Sequence, residues 1–317
     1  MTVPSLCGEG IRWALPLRHD VSAERVREAR SAQAEELRRG KLLSTAPVGM
    51  GMSDATLVRI ATSRGITRGI AKTVSRGARW EVDSPRREVV ADLIDTHVSS
   101  GGFVPTTLMR QIDGMPSSVQ FFVSDRSGQT LLSHFEWSRL QRRLPISRVQ
   151  AEQIRAFDYF MGNRDRHQGN LLLERDGNEN KCWAIDNGLS LPKGPVTDFR
   201  WPKDGFEDHQ GPLLDSTIRF IQNISPGAAA LLMADAGIEP VAITHALRRL
   251  ARMKLDPSFL EVPTNWAANS DGSRGWARLR ATAALPTQGL DQPTLRQIDE
   301  LVGKVSRMQD SRNGWLV

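Results

Sequence analysis

Cysteine is scarce in this chain, since only Cys7 and Cys182 occur among its 317 residues. Two cysteines cannot form the disulfide framework of a small secreted domain, so the sequence indicates a reducing compartment and a cytoplasmic protein. Apolar runs are short, and none approaches the roughly 18 residues of a membrane-spanning helix, so no transmembrane segment is predicted. The first residues also lack a basic stretch followed by an apolar one, and no secretory signal is predicted.

Lysine is also rare, because only seven of the 42 basic residues are lysine. The net charge is +6, but the basic residues are scattered among acidic ones and form no stripe with interleaved aromatic residues. A surface that binds nucleic acid is therefore not predicted. With 39% hydrophobic and 25% charged residues, the composition is typical of a soluble globular protein. The length suits one two-lobed domain or two small ones.

The most informative segment lies near the middle of the chain, where Asp165 and Asn170 stand five residues apart in a polar loop. An apolar stretch that we predict to be a strand follows, then a turn around Gly177, then a second predicted strand that ends in Asp186. Phosphoryl transfer from a nucleotide requires this arrangement. A hairpin brings the oxygen ligands of Asn170 and Asp186 together on Mg²⁺, while Asp165 orients the acceptor hydroxyl. The segment therefore predicts a phosphotransferase.

Two motifs in this segment resemble one family. The run Asp-Arg-His-Gln-Gly-Asn at residues 165–170 is similar to the catalytic loop of the phosphatidylinositol 3-/4-kinase superfamily. The run Ala-Ile-Asp-Asn-Gly-Leu at residues 184–189 is similar to the metal-binding segment of its type II 4-kinase branch. Bacterial members, distantly related to the HipA-like toxin kinases, share the loop. The resemblance extends over residues 65–190 and implies ATP and Mg²⁺ as cofactors.

The same resemblance assigns a role to His167, which matches a histidine that contacts the transferring phosphate or assists the base. The alternative is a loop histidine that only hydrogen-bonds the backbone, and the sequence does not decide between them.

Upstream of these motifs, the pattern predicts a small five-stranded lobe. Strands are expected from residue 42 onward and at residues 55–61, 67–74, 103–111 and 118–123. The turn after the first strand carries Gly49, Gly51 and Ser53, and we expect its backbone N–H groups to face the nucleotide phosphates. A purely structural turn is the alternative.

Lys72 lies in the predicted strand at residues 67–74, and Glu88 lies in the first turn of a helix predicted at residues 84–97. Ser84 is the expected N-cap, with Pro85 in the first turn. Kinases need a strand lysine that binds the α- and β-phosphates and a helix glutamate that holds this lysine. We therefore predict that Lys72 binds ATP and that Glu88 supports it. A solvated lysine, with a glutamate that only favours the helix dipole, is the alternative.

The rest of the chain is predicted to be mainly helical. A helix that begins near Ser147 and ends at Met161 leads into the catalytic loop. Further helices are expected at residues 213–224, 227–236, 239–254 and 293–308, with an irregular stretch between the last two. The sequence thus predicts an α+β, two-lobed protein-kinase-like fold. Its expected parts are an N-terminal helical extension (1–40), an upper lobe with an antiparallel sheet and one helix (41–125) and a mainly helical lower lobe (126–317).

The acceptor is the part of the function that the sequence leaves open. The predicted activation-type loop, residues 188–212, carries nearly balanced charge, so its attraction to an anionic lipid surface is weak. A protein kinase acting on serine or threonine is therefore favoured over an inositol lipid kinase. A nucleotide-binding pseudokinase or scaffold and an enzyme that transfers AMP remain alternatives. The oligomeric state is not predicted. The charged residues of the loop are Lys193, Arg200, Lys203, Asp198, Asp204, Glu207 and Asp208.

Overall fold

The structure is a computed structural model that describes most of the chain. Gly49, Gly51 and Ser53 lie outside the described residues, so their contact with nucleotide phosphates stays a prediction. Part of the predicted activation-type loop also lies outside them. The described ranges are 23–48, 55–73, 83–99, 101–124, 132–133, 146–176, 179–196, 199–202, 211–260, 276–279 and 289–311.

Five antiparallel strands form one sheet in the order β1-β2-β3-β5-β4, which confirms the predicted five-stranded lobe. Alternate residues of β2 and β3 point to one face of this sheet, where they form a small apolar core. The strands are β1 (Lys41–Pro47), β2 (Ala55–Thr62), β3 (Gly65–Thr73), β4 (Thr107–Ile112) and β5 (Met115–Phe121).

Helix α1 (Ala23–Arg39) packs against this sheet. Leu37 is fully buried in the small core, and the guanidinium of Arg110 donates hydrogen bonds to the carbonyl oxygens of Leu37 and Gly40 at 2.5 and 2.7 Å. A Cβ atom on Gly40 would lie 2.3 Å from Cγ2 of Ile60, so only glycine lets the chain pass this close to β2. The helix that we predicted as an extension therefore shares one core with the strands.

Helix α2 (Ser84–Ile94) continues into a π-helical turn (Asp95–Ser99). We predicted Ser84 as its N-cap, which is wrong by one residue, because Asp83 is the N-cap and Ser84 is already helical. The hydroxyl of Ser84 lies beside Gly188 instead of capping the helix. The backbone oxygen of Asp83 accepts the N–H of Arg87 at 3.0 Å and so begins the helix.

The predicted strand at residues 103–111 begins four residues too early. Backbone groups before Thr107 have other partners: Phe103 accepts the N–H of Ala184 at 2.8 Å, and Val104 donates to the Asp95 carboxylate at 2.8 Å. These bonds hold residues 103 and 104 against the lower lobe and α2, so the strand starts only at Thr107.

Helix α3 (Arg148–Met161) runs as predicted into the catalytic loop. The Ser147 hydroxyl accepts the N–H of Gln150 at 3.3 Å, and the helix ends at Gly162, whose φ of 70° favours glycine. After a 3₁₀ turn (Gln168–Asn170), a hairpin forms from β7 (Leu171–Asp176) and β8 (Glu179–Ala184). The short strand β6 (Leu132–Ser133) pairs with β7.

The second hairpin strand was predicted to end at Asp186 but ends at Ala184. Asp186 has a left-handed backbone with φ of 57°, which is incompatible with a strand. Aspartate tolerates this conformation better than most residues.

The remaining helices confirm the predicted helical lower lobe. They are α4 (Asp215–Asn223), α5 (Pro226–Asp235), α6 (Pro240–Leu255) and α7 (Gln292–Ser311), with a 3₁₀ turn (Pro257–Leu260) after α6. The irregular stretch expected between α6 and α7 is in part wrong. There β10 (Trp276–Leu279) pairs antiparallel with β9 (Phe199–Pro202). This pairing joins segments far apart in the sequence, and neither short segment has a local pattern of its own.

A large core joins α2 to the lower lobe. Val90, Ala91 and Ile94 of α2 are buried in one cluster with α3 and the helices that follow. Phe103 and Phe157 meet edge to face in this core, with ring centroids 5.2 Å apart. The structure thus has the predicted α+β, two-lobed organisation. Among the described helices, none combines the length and apolar character needed to cross a bilayer.

Candidate active site

The ammonium group of Lys72 lies where the sheet, α2 and the segment after β8 meet. Its Nζ atom is 2.5 Å from Oε1 of Glu88 and 2.8 Å from Oδ1 of Asp186. Burial alone would lower the pKa of Lys72, but the Coulomb attraction of the Glu88 and Asp186 carboxylates outweighs burial and raises this pKa above its ordinary value. Lys72 therefore remains a cation over the physiological pH range.

Strand geometry and helix position explain why these groups meet. Ala71 is fully buried in the small core, so Lys72, as the next residue of β3, points to the other face of the sheet. Glu88 follows the start of α2 by one turn and is only 2% exposed. The structure thus brings together Lys72 and Glu88, as predicted from their order, and adds Asp186 to the same ion pair.

The catalytic loop is fixed from within by Arg166. Its guanidinium donates to the carboxylate of Asp158 on α3 at 3.0–3.3 Å, and both side chains are fully buried. Its Nη1 also donates to the carbonyl oxygens of Asn170, at 3.0 Å, and Ile185. One side chain therefore ties the loop to the preceding helix and to the end of the hairpin. Such rigidity is needed because precise positioning accounts for much of catalysis.

Asn170 and Asp165 lie at the two ends of this loop and are joined directly. The side-chain Nδ2 of Asn170 donates to the backbone oxygen of Asp165 at 2.9 Å, which leaves its Oδ1 available to a cation. The backbone oxygen of Asn170 also accepts the N–H of Ile185 at 3.0 Å, next to Asp186. The hairpin therefore returns the chain from Asn170 to Asp186, as its spacing predicted.

His167 is held by the backbone of its own loop. Its Nδ1 accepts the N–H of Gly169 at 3.0 Å. A Cβ atom on Gly169 would lie 2.8 Å from Cε1 of the imidazole, so glycine is required for this arrangement. The structure thus contains the backbone hydrogen bond that we weighed as an alternative, while a contact between His167 and a phosphate stays a prediction.

The two carboxylates of the loop and hairpin differ in their electrostatic surroundings. Burial and the negative charge of Asp186 raise the pKa of Asp165, against the attraction of His167. Burial would also raise the pKa of Asp186, but the charge and hydrogen bond of Lys72 outweigh burial and lower it. Two neighbouring carboxyl groups with opposite pKa shifts are typical of sites that separate a base from a charge-bearing ligand.

Asn187 is a residue of the site that sequence reasoning missed, because an asparagine before a glycine is usually a turn former. Its backbone N–H donates to Oε2 of Glu88 at 3.0 Å. Its side-chain oxygen accepts hydrogen bonds from Arg166 at 2.6 Å and from Asn163 at 3.5 Å. Asn187 therefore connects the glutamate of α2 to the catalytic loop. The sequence signal that could have identified Asn187 as a site residue is its position directly after Asp186.

A divalent cation fits the donor set of this site. Asn170 offers an amide oxygen, and Asp186 offers Oδ2, since Lys72 occupies Oδ1. No group of three or more His, Cys, Asp or Glu side chains in the described part of the chain forms a complete metal site. Mg²⁺ typically takes one or two carboxylate ligands and completes its octahedron with phosphates and water. Two hard oxygen ligands beside the Lys72 ammonium match that preference.

Sequence comparison places this geometry in a family. The family model described as phosphatidylinositol 3- and 4-kinase matches residues 82–245, which is just over half of the chain and includes α2, the catalytic loop and the hairpin. A curated relative, phosphatidylinositol 4-kinase gamma 3 of Arabidopsis thaliana, is 26% identical over 177 residues. The match covers 54% of this chain but only 30% of that relative's length.

Solved kinase structures are similar only at low TM-scores. The kinase CtkA of Helicobacter pylori has a TM-score of 0.41 and 12% identity, with coverage of 88% of this chain and 98% of that one. The PknI kinase domain of Mycobacterium tuberculosis has a TM-score of 0.34 and 11% identity, with coverage of 84% and 94%. At such TM-scores these likenesses say nothing further about this chain.

The predicted superfamily is confirmed by the family match, whereas the HipA-like branch stays a prediction. With the match extending from the start of α2 into α6, the chain belongs to the phosphatidylinositol 3- and 4-kinase family.

Proposed function

We propose that the protein is an ATP- and Mg²⁺-dependent phosphotransferase whose acceptor is a serine or threonine hydroxyl of another protein. One observation carries the proposal: the Lys72 ammonium lies between Glu88 and Asp186, at 2.5 and 2.8 Å. Active kinases require this strand lysine, helix glutamate and metal-binding aspartate together. A scaffold that only held nucleotide would not need Asp165 at the adjoining loop, so the enzyme is favoured over the pseudokinase.

The roles of the residues follow from their positions. Lys72 binds phosphate oxygens of the nucleotide, and Glu88 keeps its ammonium in place. Asn170 and Asp186 hold the cation, which when bound neutralises phosphate charge. Asp165 accepts a hydrogen bond from the acceptor hydroxyl and takes its proton while the hydroxyl oxygen attacks the γ-phosphorus. The bond between the γ-phosphorus and the β,γ-bridging oxygen breaks, and ADP leaves with that electron pair. The raised pKa of Asp165 suits this role, because a stronger base holds the transferred proton better.

The charges near the acceptor side support a protein substrate over a lipid. The predicted activation-type loop has three basic residues and four acidic ones. Lys193, one of the three basic residues, already pairs with Glu239 and lies 3.8 Å from Oδ2 of Asp83. It therefore adds little attraction to an anionic membrane surface. An inositol lipid remains the second candidate acceptor, because the curated relative is named as a phosphatidylinositol 4-kinase.

The test incubates the purified chain with Mg²⁺ and ATP labelled at either the γ- or the α-phosphate. Dephosphorylated casein serves as the protein acceptor, and vesicles that contain phosphatidylinositol serve as the lipid acceptor. We expect γ-label on protein only, lost in Asp165→Ala and in Asp186→Ala. The control Asp299→Asn changes an exposed carboxylate on α7 and should leave labelling unchanged.

Other results would each replace the proposal with a specific alternative. Label in the lipid fraction indicates a lipid kinase. Label that comes from the α-phosphate indicates AMP transfer. Tight nucleotide binding without label in any acceptor, including the chain itself, indicates a pseudokinase or scaffold.

A further inference from the structure

We propose that α1 is a positioning element for the active site, in which Arg30 holds α2 in the register where Glu88 reaches Lys72. This inference rests on the proposed function, because it concerns the ion pair on which that function depends. Nothing in the catalytic motifs requires α1, which lies before the region of family similarity at residues 82–245.

Three buried carboxylates lie along one side of α2 and its π-helical turn. Glu88, Asp92 and Asp95 are spaced four and three residues apart, so they occupy successive turns of one face. Their exposed fractions are 2%, 5% and 0%. Each has a cationic partner: Lys72 for Glu88, and Arg30 for both aspartates. Buried carboxylates are costly without partners, so this acidic stripe is stable only in one register.

Arg30 reaches this stripe from α1 with both terminal nitrogens. Its Nη1 is 3.0 Å from Oδ1 of Asp92 and also donates to the hydroxyl of Thr96, and its Nη2 is 3.2 Å from Oδ2 of Asp95. Arg30 itself is 3% exposed. A planar guanidinium that binds two carboxylates fixes orientation as well as distance. The contact therefore restrains rotation and sliding of α2.

The frame that carries Arg30 is anchored independently of α2. On the same helix, Gln33 accepts a hydrogen bond from the Thr106 hydroxyl at 2.7 Å, and Leu37 is fully buried in the core of the sheet. Arg110 of β4 donates to the backbone oxygens at the end of α1. Arg30 thus belongs to a helix that packs on the sheet and is hydrogen-bonded to it. The same sheet carries Lys72.

The other contacts of α2 do not set its register as strictly. Its apolar residues Val90, Ala91 and Ile94 pack in the lower-lobe core, and apolar contacts are not directional. At the start of α2, Glu88 makes directional contacts to Lys72 and to the N–H of Asn187. At its other end the directional contacts come from the same two aspartates, which accept the N–H groups of Thr107 at 2.7 Å and Val104 at 2.8 Å. Without Arg30 the end of α2 loses its link to α1, and each carboxylate must take up a proton, move or admit water to relieve its charge. Glu88 lies one turn from Asp92 and two turns from Asp95, so its carboxylate would then be displaced from Lys72.

The experiment substitutes Arg30→Gln and measures the reactivity of Lys72 together with turnover. Brief acetylation followed by mass spectrometry reports how exposed each lysine amine is. We expect faster acetylation of Lys72 in the variant, with the exposed lysines Lys41 and Lys304 unchanged as internal references. This readout does not depend on phosphotransfer, so it remains informative even if the proposed function is wrong.

In the active enzyme, we expect Arg30→Gln to lower kcat by about 10- to 100-fold, which is the cost of a small misplacement in an active site. A double-mutant cycle with Glu88→Gln tests whether the two residues act together. If Arg30 acts through Glu88, the second substitution adds little to the loss caused by the first. Fully additive losses in kcat would contradict the proposal.

The matched control is Arg38→Gln, which removes a guanidinium from the exposed side of the same helix, where it pairs with Glu35 and does not contact the acidic stripe. It should leave the acetylation rate of Lys72 unchanged. If Arg38→Gln affects Lys72 as strongly as Arg30→Gln does, the effect is not specific to Arg30 and the proposal fails. If Arg30→Gln does not fold, Arg30→Lys replaces it. Lysine keeps the positive charge but lacks the planar guanidinium that binds both aspartates. A smaller rise in Lys72 acetylation supports the proposal, and no rise overturns it.

Discussion

Asp165 and Asp186 show how one site gives two carboxylates different properties. Asp186 faces the Lys72 ammonium at 2.8 Å, and its pKa is lowered, so it stays ionised and suits a cation. Within the described part of the chain, Asp165 forms no comparable ion pair with a lysine, and burial raises its pKa. In the proposed mechanism, Asp165 receives the proton and Asp186 holds the metal, so the base has the higher pKa, which is the order that phosphoryl transfer needs.

The first prediction concerns the pH dependence of the single-turnover rate. Asp165 must be ionised to accept the proton, so the rate falls when the pH drops through its pKa, above the ordinary value of 3.8. His167 attracts the ionised carboxylate and lowers the pKa of Asp165. His167→Gln should therefore move the acid limb of the pH–rate profile to higher pH. A limb that moves to lower pH in this variant, or vanishes, would contradict the assignment of Asp165 as the base.

The second prediction concerns the close contact between Gly188 and Ser84. A Cβ atom on Gly188 would lie 2.1 Å from the Ser84 hydroxyl oxygen and 3.5 Å from Oε1 of Glu88. Gly188→Ala should therefore lower the free energy of unfolding by about 1–3 kcal/mol, the usual cost of overpacking. Denaturant unfolding measures this change.

The controls for Gly188→Ala use the same measurement. Adding Ser84→Ala removes the clashing hydroxyl and should restore part of the lost stability. Gly194→Ala, where a Cβ atom meets open space, should have no effect. Equal losses at Gly188 and Gly194 would show that the contact with Ser84 is not the cause.

At the scale of elements, α2 is the helix on which the parts of the site depend. It carries Glu88, its apolar side belongs to the lower-lobe core, and its acidic stripe contacts α1 and β4. Burial raises the pKa of Asp92 to about 6, although the Arg30 guanidinium opposes this shift. The folded protein therefore binds a proton at Asp92 at a pH where the unfolded chain does not.

The third prediction follows from this difference in proton binding. Asp92 has a pKa of about 6 when folded and 3.8 as its ordinary value, so its protonation stabilises the fold below pH 3.8. This contribution is lost as the pH rises through the folded pKa. Relative to Asp92→Asn, the free energy of unfolding of the wild type should fall by about 2 kcal/mol between about pH 4 and about pH 7. Equal pH dependence of both proteins in denaturant unfolding would contradict the shift.

The sequence predicted the elements with local signals and missed those without them. The Ser147 cap and the apolar face around Phe157 predicted α3, and the spacing from Asn170 to Asp186 predicted the hairpin. The pairing of β9 with β10 escaped prediction because both strands have four residues and their partners are remote in sequence. The acidic stripe also escaped prediction, since Arg30 lies 62 residues before Asp92 and nothing local links them.

At the scale of the whole molecule, the site is assembled from both lobes. Lys72 belongs to the upper sheet, whereas Asp165 and Asn170 belong to the loop after α3 in the lower lobe. The order of Lys72, Glu88 and the loop motif in the sequence was enough to predict this assembly. The same order did not predict that Asn187 links the lobes. Its hydrogen bonds to Glu88 and Arg166 depend on the left-handed backbone of Asp186.

The fourth prediction is that nucleotide stabilises the whole fold, since at the proposed site it would contact both lobes. With Mg²⁺ and a non-hydrolysable ATP analogue at about 100 times Kd, the free energy of unfolding should rise by about 2.7 kcal/mol. Calorimetry should show a higher Tm that is lost in Lys72→Met. Lys304→Met, which removes an exposed lysine on α7, is the matched control and should keep the full shift. A nucleotide-induced shift that survives in Lys72→Met would place the nucleotide elsewhere.

The most direct test compares nucleotide affinity with γ-phosphate transfer in one pair of variants. Asp165→Asn should bind Mg²⁺ and ATP as the wild type does but transfer the γ-phosphate about 10²- to 10⁴-fold more slowly, because it loses only the base. Asp186→Asn should lose both binding and transfer, because it loses a metal ligand. If Asp165→Asn transfers phosphate at the wild-type rate, these side chains do not form the catalytic centre that we propose.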